Sequence, residues 1–269
     1  LAESKQFVET YLREIGVQTP VSLFTSEQSA SDQSASGQSN LRPEILVQQT
    51  DSKVHSPAAD ASAITSPAKQ NFEVKADVPA VAKSVSGGLS DLAVKASTCR
   101  LCSLSQERNQ VVFGVGNPDA DLVFIGEAPG REEDLQGEPF VGRAGQLLDR
   151  MLAAMGMGRN EIYIMNTVKC RPPNNRDPKP DEVQACNLWF EQQLDMLRPK
   201  MICLLGRVAA QTVLKSDEPL GALRGRWYDY QGIPVWVTYH PAYLLRSPGQ
   251  KQKSWQDLQA LLSGFQKLN

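Results

Sequence analysis

Apolar residues recur in two rhythms along the C-terminal two-thirds of this chain. Short apolar runs at 122–125, 162–167, 202–205 and 234–239 read as β-strands. Between them, the stretches 142–155, 180–197 and 208–215 carry apolar residues at helical spacing, and 255–268 closes the chain in the same way. Ala144, Leu147, Leu148, Met151, Leu152 and Met155 show that spacing most clearly. Alternating strands and helices predict an α/β fold: a three-layer αβα sandwich whose four-stranded, mainly parallel sheet is covered on both faces.

The N-terminal third lacks this rhythm. Residues 3–15 carry Phe7, Val8, Tyr11, Leu12 and Ile15 at helical intervals, so a short helix is expected within 1–23. A helix of that length is marginal by itself. Residues 24–91 are rich in Ser, Ala, Gln, Pro and Val, and Gln-Ser-Ala-Ser occurs twice near their start. Such a composition buries too little apolar surface to offset the entropy of ordering, which predicts a disordered linker. One domain of ordinary size is then expected over 92–269.

Charge refines this division. Residues 92–269 hold 21 Lys/Arg and 19 Asp/Glu, a net of +2, whereas residues 1–91 hold 7 and 11, a net of −4. A net of +2 does not by itself indicate nucleic-acid binding, which would need local clustering of cations. No window is long and apolar enough for a membrane span, and the N-terminus lacks the pattern of a secretory signal. Cytosolic residence is the expectation.

Two sets of residues carry candidate chemistry. The first is the five cysteines Cys99, Cys102, Cys170, Cys186 and Cys203. Cys99 and Cys102 form a CxxC, 15 residues separate Cys170 from Cys186, and Cys203 lies inside an apolar strand. An odd number in a chain of this kind argues against a disulfide framework. Four thiolates suit either a tetrahedral zinc or an iron–sulfur cluster, and the loose second pair weakens the zinc reading without removing it. Cys203 reads as a small buried hydrophobe. The second set sits at the ends of the predicted strands: Glu127 after the first, Asn166 at the end of the second, Gly206 after the third and His240 after the fourth. Open parallel sheets bind ligands beyond the C-terminal ends of their strands, so these positions mark one candidate rim.

The segments Gly126-Glu127-Ala128-Pro129-Gly130, Pro139-Phe140-Val141-Gly142, Asn166-Thr167-Val168-Lys169-Cys170-Arg171-Pro172-Pro173 and His240-Pro241-Ala242-Tyr243-Leu244-Leu245-Arg246 occur in that order with the four cysteines. Together they resemble the family-4, iron–sulfur type of uracil-DNA glycosylase over residues 92–269. The resemblance implies a [4Fe–4S] cluster on Cys99, Cys102, Cys170 and Cys186. It implies an enzyme that flips uracil out of single- or double-stranded DNA and hydrolyses its N-glycosidic bond, leaving an abasic site for base excision repair.

Site roles follow from the same resemblance. His240 donates to uracil O2 as negative charge develops on the departing base. Asn166 reads uracil, because one carboxamide pairs with both N3–H and O4, and cytosine reverses that pattern. Phe140, which composition alone would place in a core, stacks on the flipped base. Glu127 orients the attacking water and Glu133 shapes the pocket, while Glu132 and Asp134 read equally well as a solvated face. Leu244, Leu245 and Arg246 form a loop with an apolar wedge and a phosphate contact. Lys169, Arg171, Arg176, Lys179, Lys251 and Lys253 are further candidate phosphate contacts. A monomer is expected, with the N-terminal extension available to a protein partner. A related branch that forms a covalent adduct with DNA uses a His in a basic insert. This chain runs Arg-Ser-Pro-Gly-Gln-Lys after Leu245 and lacks that insert. The competing reading of another class is a non-catalytic iron–sulfur protein that binds DNA or transfers electrons.

Overall fold

A computed structural model of the chain describes residues 11–13 and 86–268. Its scaffold is a sheet of six strands. They are β1 (Val115–Gly116), β2 (Leu122–Gly126), β3 (Tyr163–Asn166), β4 (Met201–Leu205), β5 (Trp227–Tyr230) and β6 (Ile233–Thr238), in the spatial order β1-β3-β2-β4-β6-β5. The four central strands are parallel, and β1 and β5 add antiparallel edges.

The sheet thus has six strands rather than the four expected. The two extra ones escaped the sequence pattern for physical reasons. β1 is two residues long. β5 is half exposed, and its Tyr and Asp give no apolar run. Tyr230 pairs with Ile233, so Gln231 and Gly232 alone make the turn, both at positive φ (53° and 85°). A two-residue hairpin turn with both positions in that region is the type I′ geometry, which Gly favours and Gln tolerates poorly.

Residues of the central strands alternate between two cores. Leu122, Phe124, Ile164, Cys203 and Trp236 face one side of the sheet, where α3 (Arg143–Ala154), α7 (Pro241–Arg246) and α8 (Lys251–Gln266) pack. Val123, Ile125, Met165, Ile202, Leu204 and Val237 face the other. There α1 (Ser86–Ser97), α4 (Pro180–Leu197), α5 (Arg207–Leu214) and the short α6 (Leu220–Leu223) cover the sheet. One further helix, α2 (Arg131–Gln136), lies in the loop after β2. The chain passes from β2 to β3 on one flank and returns to β4 on the other. The crevice for a ligand therefore opens at the C-terminal ends of β2 and β4.

One expectation about the N-terminal third changes. Helix α1 begins at Ser86, inside the stretch read as linker. Its opening Ser-Gly-Gly looks like linker composition, yet Leu89, Leu92 and Ala96 form a buried stripe. Residues 11–13 are helical, and Tyr11 and Leu12 are buried in the core beside α8, with the Tyr11 ring edge-on to Trp255 at 6.4 Å. The remainder of the expected N-terminal helix and the tract 24–85 lie outside the described residues. Among the described residues no helix is long and apolar enough to cross a membrane.

Burial of Leu12 generates a test of this packing. Leu12→Ala should lower unfolding free energy by about 2–4 kcal/mol in a urea titration, the usual cost of truncating a buried Leu. A change below about 0.5 kcal/mol would mean that this turn does not pack on the domain.

Candidate active site and four-cysteine cradle

The strand ends meet. Glu127, Asn166, Gly206 and His240 line one open cavity of about 470 Å³, together with Phe140, Glu133, Tyr243 and Arg246. Two glycines make the meeting sterically feasible. A Cβ at Gly126 would stand 2.6 Å from Phe140 Cζ and closer still to Asn166 Oδ1, so only hydrogen lets these two side chains close over the end of β2. Gly206, at φ +91°, would put a Cβ 2.7 Å from the Cβ of His240.

Asn166 is 2% exposed, and its Oδ1 is buried without a hydrogen-bond partner. A buried acceptor left in that state costs about 1–3 kcal/mol, a cost that a ligand donor removes. Its backbone is fixed, because the Lys169 ammonium donates to its carbonyl at 2.9 Å.

His240 caps α7 with its own ring: Nδ1 accepts from the Ala242 amide at 3.1 Å. Burial, assisted by the Arg246 guanidinium, pushes the imidazole down to about 4. At neutral pH the ring is therefore uncharged, and with Nδ1 accepting, its proton sits on Nε2. Sequence alone left that state open.

Glu127 is held at the opposite shift. Burial and then the Asp177 carboxylate push it up to about 7, while the Arg207 guanidinium opposes them. Its main chain is tied to the end of β3 by Thr167 Oγ1 (2.7 Å) and the Val168 amide (3.0 Å), both donating to its carbonyl. Asp177 and Arg207 form an ion pair and line the same cavity. Neither was singled out from sequence. Arg207 had a readable signal, since it follows the strand-end Gly206 directly.

Phe140 sits at φ +56°, a region that costs a residue with a bulky side chain free energy. The turn is held from both sides. Arg159 donates to the Phe140 and Pro139 carbonyls and pairs with Asp149. The Glu133 carboxylate accepts from the amides of Gly130 (3.1 Å), Val141 (3.0 Å) and Gly142 (3.0 Å). Glu133 thus spends its acceptor capacity on backbone while lining the cavity. The Phe140 ring faces His240 at 5.5 Å between centroids, inclined by 31°.

Several expectations fail here. Residues 241–246 are helical rather than a loop, and Leu244 is fully buried in the core, so it is no surface wedge. The helical turn points it inward and leaves Tyr243 and Arg246 exposed, with Leu245 half-buried. Lys169 is 1% exposed and unavailable to a phosphate, and Lys251 is buried as well. Asp134 is neither solvated nor in the cavity. It accepts from the Asn109 amide (2.9 Å) and carboxamide (2.6 Å).

Four of the five cysteines, Cys99, Cys102, Cys170 and Cys186, line a second cavity, with Leu101, Val111, Val168 and Trp189 around them. Cys99 and Cys102 follow α1, Cys170 lies beyond β3, and Cys186 is on α4. Burial raises the thiols of Cys170, to about 11, and Cys186; Arg108 opposes this at Cys170 and Lys169 at Cys186. All five cysteines are free thiols, and Cys203 lies fully buried in β4, outside this cavity. Among the described residues no three His, Cys, Asp or Glu side chains gather tightly enough to hold a single metal ion.

Comparison with known proteins agrees with this architecture. The description "Uracil DNA glycosylase superfamily" matches residues 113–259. A type-4 uracil-DNA glycosylase of Archaeoglobus fulgidus is 42% identical over 181 residues, covering 64% of this chain and 91% of that protein. One of Thermotoga maritima is 44% identical over 151 residues, covering 55% of this chain and 79% of its own. A type-5 uracil-DNA glycosylase of Pyrobaculum aerophilum is more distant, at 30% over 155 residues (50% and 67%). With the matched region spanning all four strand ends together with Cys170 and Cys186, the chain belongs to the uracil DNA glycosylase superfamily, within its type-4 branch.

Proposed function

We propose that this protein removes uracil from DNA by hydrolysing the N-glycosidic bond, leaving free uracil and an abasic site. The observation that carries the reading is the buried, unpartnered Oδ1 of Asn166 in a cavity walled by an aromatic ring and a neutral histidine. The type-4 relatives bear the name of that activity.

Each role follows from chemistry. Uracil enters with its N3–H toward Asn166 Oδ1 and its O4 toward the carboxamide nitrogen, and Phe140 stacks on its face. As the glycosidic bond lengthens, negative charge grows on the base, and the Nε2–H of His240 donates to O2. A neutral donor avoids the desolvation cost of a buried imidazolium. Glu127 as carboxylate orients water toward the sugar carbon, where positive charge develops. Glu133 acts as a positioning residue, through the turn that presents Phe140. Arg246 at the cavity mouth contacts phosphate, and Leu245 beside it offers an apolar surface to the DNA.

Cys99, Cys102, Cys170 and Cys186 are proposed to hold a [4Fe–4S] cluster. A cluster spreads its thiolates over several irons, which suits four cysteines arranged around a cavity rather than about one point. When bound, it supplies a covalent crosslink between the segment before β1 and the segment after β3. Cys170→Ser should yield protein with most of its iron, acid-labile sulfide and brown colour lost, whereas Cys203→Ser should retain them. Stoichiometric zinc without sulfide in the unaltered protein contradicts the assignment.

Base choice is tested at Asn166. Asn166→Asp keeps the shape but replaces the donor to O4 by an acceptor. Single-turnover excision of uracil should fall by roughly tenfold to a hundredfold, with weak cytosine excision gained. His240→Ala should slow uracil excision by roughly 10²–10³ while leaving base choice intact. A wild-type uracil rate in Asn166→Asp would mean that another residue reads the base.

Proton dependence tests Glu127. Its carboxylate is the working form, so the single-turnover rate should fall as pH drops through about 7 and level off above it. Asp177→Asn removes a charge that raises this group, so the fall should move to lower pH. Glu127→Gln should be slow and lack that limb. An unchanged limb in Glu127→Gln would assign it to another group.

A further inference from the structure

The cysteine cradle is crosslinked by side chains that belong to neither cysteine pair. The Trp189 indole donates to Cys99 Sγ at 3.1 Å, reaching from α4 to a residue 90 positions earlier in the chain. One nitrogen of the Arg108 guanidinium donates to Cys170 Sγ at 3.2 Å. Its other terminal nitrogen donates to the Cys99 carbonyl at 2.6 Å and to the Ser97 carbonyl at 3.3 Å. A third donor, the Lys169 amide, points at Cys186 Sγ at 3.2 Å. Three of the four sulfurs thus each accept one N–H. Both side-chain donors bridge the Cys99–Cys102 segment to the segment carrying Cys170 and Cys186.

Sulfur is a weak acceptor, and three N–H donors aimed at sulfurs in one apolar cavity, one of them cationic, call for a common purpose. A thiolate is a far better acceptor than a thiol, and hydrogen bonds to the sulfurs of an iron–sulfur centre withdraw electron density from them. We propose that Arg108 and Trp189 are the residues that fix retention and reduction potential of the metal group in this cradle, by hydrogen bonding to Cys170 and Cys99. Their bridging geometry also keeps the two cysteine pairs in register, which lowers the ordering cost of binding. This rests on the reading of the four cysteines as ligands of an iron–sulfur cluster.

The test uses full-length protein purified without air, and its readouts are independent of excision. Iron, sulfide and visible absorption give cluster content; bleaching by excess iron chelator gives retention; and a mediated redox titration gives the midpoint potential. Trp189→Phe removes the N–H, with part of the ring volume, while keeping an aromatic ring. It should load the cluster, bleach roughly tenfold faster and titrate at a more negative potential, since outer partners typically change metal affinity by roughly tenfold to a hundredfold. Arg108→Met should show the larger loss, and Arg108→Lys should restore part of it by returning charge without the two-pronged geometry. If Arg108→Met does not fold, Trp189→Phe decides alone. Wild-type bleaching and potential in Trp189→Phe overturn the shell while leaving the cluster assignment standing. A wild-type protein with neither iron nor sulfide overturns the cluster assignment, and the shell with it.

Discussion

The absence of a side chain at Gly126 is the constraint on which the site depends. Strand β2 ends there, and the space a Cβ would fill is taken by Phe140 and the Asn166 carboxamide. Parallel pairing sets Gly126 beside Asn166 in register, so the approach is built into the sheet and not into a mobile loop. Gly206 repeats the device at the end of β4, where it admits His240. Three strand ends thereby deliver a carboxylate, a carboxamide and an imidazole to one cavity, and the turn before α3 adds the aromatic face of Phe140. Rigid placement matters because an unpaired buried acceptor is tolerated only where the surrounding structure cannot collapse onto it.

The two cavities share one short segment of chain. Asn166 lines the first and Cys170 the second. Between them Thr167 ties the Glu127 loop, while Lys169 sends its ammonium to the Asn166 carbonyl and to Gln193, and its amide to Cys186. Burial lowers the Lys169 ammonium to about 7, with the cysteine sulfurs opposing that shift. Gln193 continues the network to the Phe113 carbonyl and the Tyr163 hydroxyl. A displacement of Cys170 would therefore reach Asn166 through the three intervening residues and one buried ammonium. A metal group held by Cys170 would act on the first cavity through this segment, without touching the substrate.

Much of this arrangement was legible before the fold was known. The central strands and α3, α4, α5 and α8 carry strong apolar periodicity, and their predicted limits lie within a few residues of those found. Strand-end polar residues could be placed on one rim because parallel topology alone fixes that geometry. What escaped notice was set by tertiary contact rather than by pattern. The β5 edge is amphipathic and follows no apolar run. Helix α1 opens in Ser and Gly. Leu244 looked like a wedge because its helix is only six residues long and carries no readable period. Only the family resemblance separated Glu133 from Asp134 in sequence, and nothing there showed that one holds the Phe140 turn and the other the 109–110 loop. Protonation states were equally hidden, because burial and the distant neighbours Asp177, Arg207 and Arg246 set them.

The central claim is that the Asn166–His240 cavity breaks a glycosidic bond and does not merely bind DNA. The most direct measurement incubates the purified wild-type protein with matched single-stranded oligonucleotides that carry one uracil, cytosine or thymine. Released base is identified by mass, and strand scission in alkali reports the abasic site. Free uracil and an alkali-labile site, from the uracil strand only, are the predicted result. Tight binding of the uracil strand with no base released, or release of all three pyrimidines at similar rates, would contradict the account.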